Sequence, residues 1–156
     1  MKALAVGAHP DDVEFMCAGT LLLLRDAGFD VDIVTFTAGD CGSMEAPPER
    51  IARVRRGEAE RAAALLGATY GCLGELDCRI FLDASLLAKT VEQVRRSRPD
   101  VVFTHFPRDY MVDHELTSRL VRDALFCAPM PNFKAGRTKA TTGRPQLSAP
   151  SRGAPS

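Results

Sequence analysis

The stretch VGAHPDDVEF, residues 6–15, carries an apolar run straight into a histidine, a proline and two adjacent aspartates. A turn needs proline, glycine and at most one aspartate. It does not need His9, Asp11, Asp12 and Glu14 together. Another histidine, His114, stands far along the chain in DYMVDHELTS. His9, Asp12 and His114 can supply two imidazoles and a carboxylate, a set that suits zinc and leaves one position for water. Zinc brings the pKa of such a water toward neutrality, and Asp11, next to a ligand but pointing elsewhere, could take its proton. That chemistry is hydrolysis of an amide or ester. The same residues also have plainer uses. An aspartate pair after a strand can cap the next helix, Glu14 can be a first-turn helix charge, and a histidine at a helix start can simply face water. His-x-x-Asp is a short pattern, and His114 carries no local signature of its own.

The elements that must hold these residues read as alternating strands and helices. KALAVGA is apolar without alternation, a strand buried on both faces. The helix after it repeats Val13, Met16, Cys17, Leu21 and Leu24 and stops at Gly28. DVDIVTFT, residues 30–37, is a second strand. A long helix over 48–66 follows Pro47 and Pro48, with Ile51, Val54, Ala62, Leu65 and Leu66 expected inward. A weaker strand lies near ATYGCL and a short apolar piece near CRIFL. Asp83 looks like the N-cap of a helix that turns Leu87, Val91 and Val94 inward. PDVVFTHF, residues 99–106, is the last clear strand. A final helix carries Leu120, Val121 and Ala124 and ends before Pro129. The expected fold is α/β, a Rossmann-like, doubly wound, mostly parallel sheet with helices on both faces. Ligands bind outside the carboxyl ends of such strands. The polar clusters at 9–14, 38–43 and 105–114 would all meet there.

Composition narrows the function classes. The 156 residues carry 20 basic and 20 acidic side chains, so the chain as a whole has no charge bias toward nucleic acid or an acidic membrane. The longest apolar run, LLLL at 21–24, is far too short to span a bilayer. No secretory leader is visible, and the five scattered cysteines form no C-x-x-C pair. They are expected to be reduced, buried thiols of a cytoplasmic protein. From Lys134 onward the sequence has one leucine, no isoleucine, valine or aromatic, and abundant Gly, Pro, Ser, Thr and Ala. It is expected to be a disordered basic tail, 134–156, behind a domain of residues 1–133.

At its polar clusters the sequence resembles the PIG-L/LmbE-like family of zinc-dependent N-deacetylases, marked by A-H-P-D-D-x-E after the first strand. AHPDDVE, residues 8–14, matches it throughout. The likeness extends to TAGDCGS (37–43), to Arg55-x-x-Glu58, and to DYMVDHELTS (109–118). It implies Zn2+ on His9, Asp12 and His114, with Asp11 as general base. Arg55, Asp109 and His105 are then the expected substrate-side residues. Arg55 matches an arginine that contacts substrate, Asp109 could orient a ligand or a substrate hydroxyl, and Asp113 could brace His114 or cap its helix. The implied reaction removes acetyl from a small-molecule N-acetylated amine, an amino sugar or its conjugate. A homo-oligomer is compatible with this reading.

Two departures from the family pattern stand out. Many members have His-x-Asp-His at the distal motif, where this chain has Met111, and a thioether donates no hydrogen bond. His105 is the nearest substitute donor by topology. Family domains also continue beyond CAPMPNF, where the globular pattern here stops, as if the C-terminal part of the domain were missing. The alternative expectation is therefore a folded but inactive metal-binding remnant. A nucleotide-binding Rossmann turn is disfavoured, because GAHPDD puts bulk and two carboxylates where phosphates need glycine.

Overall fold

In a computed structural model, which describes residues 1–143 and 145–148, the chain is an α/β protein with one five-stranded sheet. The elements run β1 (Lys2–Gly7), α1 (Asp12–Asp26), β2 (Asp30–Thr37), α2 (Pro48–Leu66), β3 (Thr69–Glu75), α3 (Ala84–Ser97), β4 (Val101–Thr104), α4 (Val112–Cys127) and β5 (Gln146–Ser148). The strand order is β3-β2-β1-β4-β5, and every pair is parallel. Winding goes outward from β1 in one direction, then crosses to β4 on its other side. The switch point therefore lies between the carboxyl ends of β1 and β4, where open α/β sheets bind ligands.

The two faces of β1 feed two cores, because alternate strand residues point to opposite sides. Leu4 and Val6 pack with Val91 and Val94 of α3 and Leu120, Val121 and Ala124 of α4. Ala3 and Ala5 pack with Val13 and Leu21 of α1 and Ala63 and Leu66 of α2. Local chemistry sets the helix ends. Pro48 opens α2 where its missing N–H costs nothing, and Gly67 closes it at φ 72°. Asp83 Oδ1 accepts the Leu86 N–H at 2.8 Å and starts α3.

The inward stripe of α2 differs from the expected one. Leu66 is buried as expected, but Val54 and Leu65 are exposed, and Ala59 and Ala63 are buried instead. The period is helical in both readings, but the small alanines turn inward and bring the helix close. CRIFL forms no strand; Ile80 is buried singly while Phe81 faces solvent. The five cysteines are all free, yet none is fully buried, and Cys41 and Cys78 are exposed.

The segment after Phe133 departs from the expectation of a structureless tail. Arg95, 3% exposed on α3, donates to the carbonyls of Ala128 (3.0 Å), Met130 (2.7 Å) and Phe133 (3.1 Å). Thr138 Oγ1 donates to Glu92 Oε1 at 2.6 Å, and Gln146–Ser148 pairs with β4 as the fifth strand. Backbone and polar hydrogen bonds order this stretch, and a count of apolar side chains is blind to them. Residues 144 and 149–156, also part of that expected tail, lie outside the described residues.

Candidate metal centre and active site

The turn after β1 is built for close approach. A Cβ on Gly7 would lie 2.9 Å from the Asp12 Cβ, so glycine lets α1 start directly against the strand end. Asp11 then takes φ 98°, a left-handed conformation costly for a residue with a side chain. The result aims Asp11 and Asp12, adjacent in sequence, at different partners. Asp12 Oδ2 accepts the His9 backbone N–H at 2.7 Å, fixing the turn.

His9, Asp12 and His114 converge, each offering a ligand atom within 4.8 Å of the others. His114 Nε2 lies 3.2 Å from Asp12 Oδ1 and is buried with no hydrogen-bond partner. Both imidazoles are held from behind by a carboxylate. His9 Nε2 meets Asp113 Oδ2 at 3.0 Å, leaving Nδ1 toward Asp12, and His114 Nδ1 lies 3.3 Å from Asp109 Oδ1. Backing of this kind fixes ring orientation in histidine metal sites. An orphaned buried nitrogen, a carboxylate and a second imidazole form a donor set that fits a divalent metal.

Charge is concentrated here. Burial alone would lower the His9 pKa, but hydrogen bonds and charge from Asp12 and Asp113 carry it up to about 9. Burial would likewise raise Asp12, yet the imidazoles of His105, His114 and His9 gathered around it hold it well below the usual carboxylate range. Asp11 moves the other way. Burial raises it, and the Arg55 guanidinium offsets that only in part. Two neighbouring carboxylates thus have separated proton affinities, the pattern that assigns distinct roles.

Arg55 reaches this site from α2. Its Nη1 donates to Asp11 Oδ2 at 2.8 Å and to the Pro10 carbonyl at 3.2 Å. Two glycines make room for it: a Cβ on Gly39 would sit 2.6 Å from Arg55 Cδ, and one on Gly42 would sit 2.8 Å from Nε. The charged ARVRRGEAER face is therefore not uniformly solvated. His105, 2% exposed, stacks on His114 with centroids 3.9 Å apart; its Nε2 accepts the Ala8 N–H at 2.9 Å and lies 3.1 Å from Asp12 Oδ2.

These groups open into one cavity of about 720 Å³, whose apolar lining includes Phe15, Met16, Phe106, Tyr110 and Met111. All seven residues singled out from the sequence border it or, like Asp12 and His105, line its floor. Sequence reasoning missed the partner of Asp113, which holds His9 rather than His114. It also missed Asp77, Cys41 and Cys78 in the same wall. The signal available was the pair of Asp-Cys dipeptides, 40–41 and 77–78, one after each of two neighbouring strands.

A 4-oxalmesaconate hydratase of Pseudomonas putida is 28% identical over 143 residues, covering 86% of this chain and 55% of that protein. A mycothiol S-conjugate amidase of Streptomyces coelicolor is 30% identical over 147 residues, covering 75% of this chain and 50% of that protein. The structure of N,N'-diacetylchitobiose deacetylase from Pyrococcus horikoshii superposes with a TM-score of 0.89 at 25% identity, over 96% of this chain and 60% of that one. The chain spans about half the length of the curated relatives it matches. The family model described as PIG-L, GlcNAc-PI de-N-acetylase, matches residues 4–125, and the chain belongs to that family.

Proposed function

We propose that the chain carries the catalytic centre of a zinc-dependent N-deacetylase acting on an N-acetylated amino sugar or its conjugate. The observation that carries this is the convergence of His9, Asp12 and the orphaned His114 Nε2 beside a separate carboxylate, Asp11. His9, Asp12 and His114 would hold the zinc, which when bound supplies Lewis acidity.

Asp11 is the proton carrier. Its raised pKa brings it nearer the working pH of a general base, and it lines the cavity where water and amide would meet. Arg55 engages Oδ2, so the proton is taken from the attacking water at Oδ1 and returned to the departing amine. Arg55 thereby acts as a positioning residue for Asp11. Asp109 and Asp113 position the two imidazoles. His105 is buried, takes the Ala8 N–H at Nε2 and stacks on His114, so its geometry suits shaping the floor of the site better than binding substrate. The apolar rim suits an aglycone or acyl group, and the charged floor suits the amide.

The test is zinc content together with amine release over a panel of N-acetyl sugars and their conjugates. Zinc with turnover supports the reading; zinc without turnover on any of them supports the inactive remnant. A second reading, hydration of an unsaturated polycarboxylate, is favoured by the hydratase relative and by Met111, which offers no donor to an amide oxyanion. Loss of the ultraviolet absorbance of 4-oxalmesaconate on incubation would identify it.

A further inference from the structure

The turn after β3 touches the metal centre through a backbone group. Arg79 N–H donates to the Leu76 carbonyl at 3.1 Å, closing a turn whose third residue, Cys78, has φ 60°. Turns of this shape usually place glycine or asparagine there, because a side chain is strained at positive φ. Residues persist in such a conformation where their surroundings over-determine it, and they gather at functional sites. Here the turn is held from two directions. Asp77 N–H donates to Asp40 Oδ1 at 2.8 Å and Cys41 N–H donates to Asp77 Oδ2 at 2.8 Å, which pins it to the loop after β2. On the other side, Cys78 N–H donates to Asp113 Oδ2 at 2.7 Å.

The acceptor gives that last bond a consequence. Asp113 is 5% exposed, and its Oδ2 is the same oxygen that lies 3.0 Å from His9 Nε2. A backbone N–H only donates, so Oδ2 serves Cys78 as an acceptor whatever the imidazole does. An oxygen used in this way suits a second donor. The His9 proton then sits on Nε2, and Nδ1, on the Asp12 side, keeps its lone pair. A carboxylate with one partner can turn with the ring it holds; one fixed between α4 and the turn after β3 cannot. Carboxylates behind metal-binding imidazoles set their tautomer and orientation.

We infer that Cys78 is a positioning residue for His9: its backbone N–H, aimed by the left-handed conformation, fixes Asp113, and Asp113 fixes the proton and the plane of the His9 ring. A residue of the cavity wall thereby contributes to metal affinity without touching the metal. Its effect on zinc rests on the proposed reading of His9 as a ligand; the link from Cys78 to His9 does not.

The test has a metal-free arm and a zinc arm, both on the full chain. With 15N-labelled cysteine the five amides are followed by NMR, and Cys78→Gly identifies the Cys78 resonance by its loss. Without zinc, His9→Ala should move the Cys78 resonance, and it should no longer do so in an Asp113→Ala background. In the zinc arm, affinity is measured by chelator competition. Cys78→Gly accepts φ 60° and keeps the N–H, so its affinity should stay within about twofold of wild type. Cys78→Val, β-branched and disfavoured at positive φ, should weaken zinc about tenfold. In the Asp113→Ala background Cys78→Val should cost nothing further, whereas a merely structural role would add the same loss in both backgrounds. A Cys78 resonance indifferent to His9→Ala, wild-type zinc affinity in Cys78→Val, or additive losses would each overturn the inference. A wild type that takes up no zinc would defeat the zinc reading instead, and the metal-free arm then decides this one, as it does if Cys78→Val fails to fold.

Discussion

Asp11 and Asp12 are chemically identical neighbours with opposite assignments, and the left-handed backbone at Asp11 is what separates them. Asp12 turns inward to three imidazoles, and Asp11 turns to Arg55 and the cavity. Asp11→Asn should therefore retain zinc by elemental analysis while turnover falls by about 10²–10⁴, the usual cost of losing a general base. Loss of zinc from that variant would make Asp11 a ligand. The carboxylates behind the imidazoles call for the opposite result. Asp113→Ala frees His9 Nε2, and zinc affinity measured by chelator competition should weaken about 10–100-fold, with turnover restored at saturating zinc. The sequence shows Asp113 plainly, but not which histidine it holds. That pairing depends on α4 and the β1 turn meeting side by side, and nothing local to either segment encodes it.

At the scale of the element, strands and helices were largely legible because their signals are local. The second strand and the long helix fall on the residues the periodicity marks. The face of that helix was not legible: Val54 and Leu65 satisfy the same period as Ala59 and Ala63, and only the packing distance to the sheet selects the alanines. The docking of α2 matters to the site because it delivers Arg55. Gly42→Ala should crowd Nε from 2.8 Å and displace the guanidinium. Turnover should fall with zinc content unchanged, and the pH profile should shift as Asp11 loses its cation. An unaltered profile would show that Arg55 does not act through Asp11. The amino-terminal end of the strands, opposite the site, holds a different device. Buried Asp32 accepts from Ser97 at 2.6 Å, from Thr69 at 2.7 Å and pairs with Lys2 at 2.9 Å, tying β2 to α3, β3 and β1. Burial would raise its pKa, but these partners lower it. A depressed folded-state value stabilises the fold above the unfolded pKa of about 3.9, and that contribution is lost as pH falls through the folded value. Asp32→Ala should cost about 1.5–3 kcal/mol near neutral pH by denaturant unfolding. The gap from wild type should narrow below about pH 4; a gap that stays constant in acid would mean the carboxylate's charge plays no part.

For the whole molecule, the question is what the sheet does at its β4 side. Composition pointed to disorder from Lys134 because so little there can be buried, and that reasoning holds for side chains but not for strand edges. β4 is four residues long and central in the switch that forms the site, with β1 on one side and β5 on the other. Without β5, its outer N–H and C=O groups would face water or another chain. The path to β5 is also held, by Arg95 on three carbonyls and by Thr138 on Glu92. A chain ending at residue 143 keeps those anchors and loses only the strand. Removing a short edge strand at a cost of about 1–2 kcal/mol should lower the thermal midpoint by about 2–8 °C in a protein of this size. It should also make light scattering rise with concentration as the β4 edge pairs between molecules. Arg95→Met in the full chain should reproduce the lower midpoint, since it leaves three carbonyls near the end of α4 without their donor. If the shortened chain melts at the wild-type temperature and stays monomeric, β5 contributes nothing to the sheet, and the stability of the β4 side rests on α3 and α4 alone.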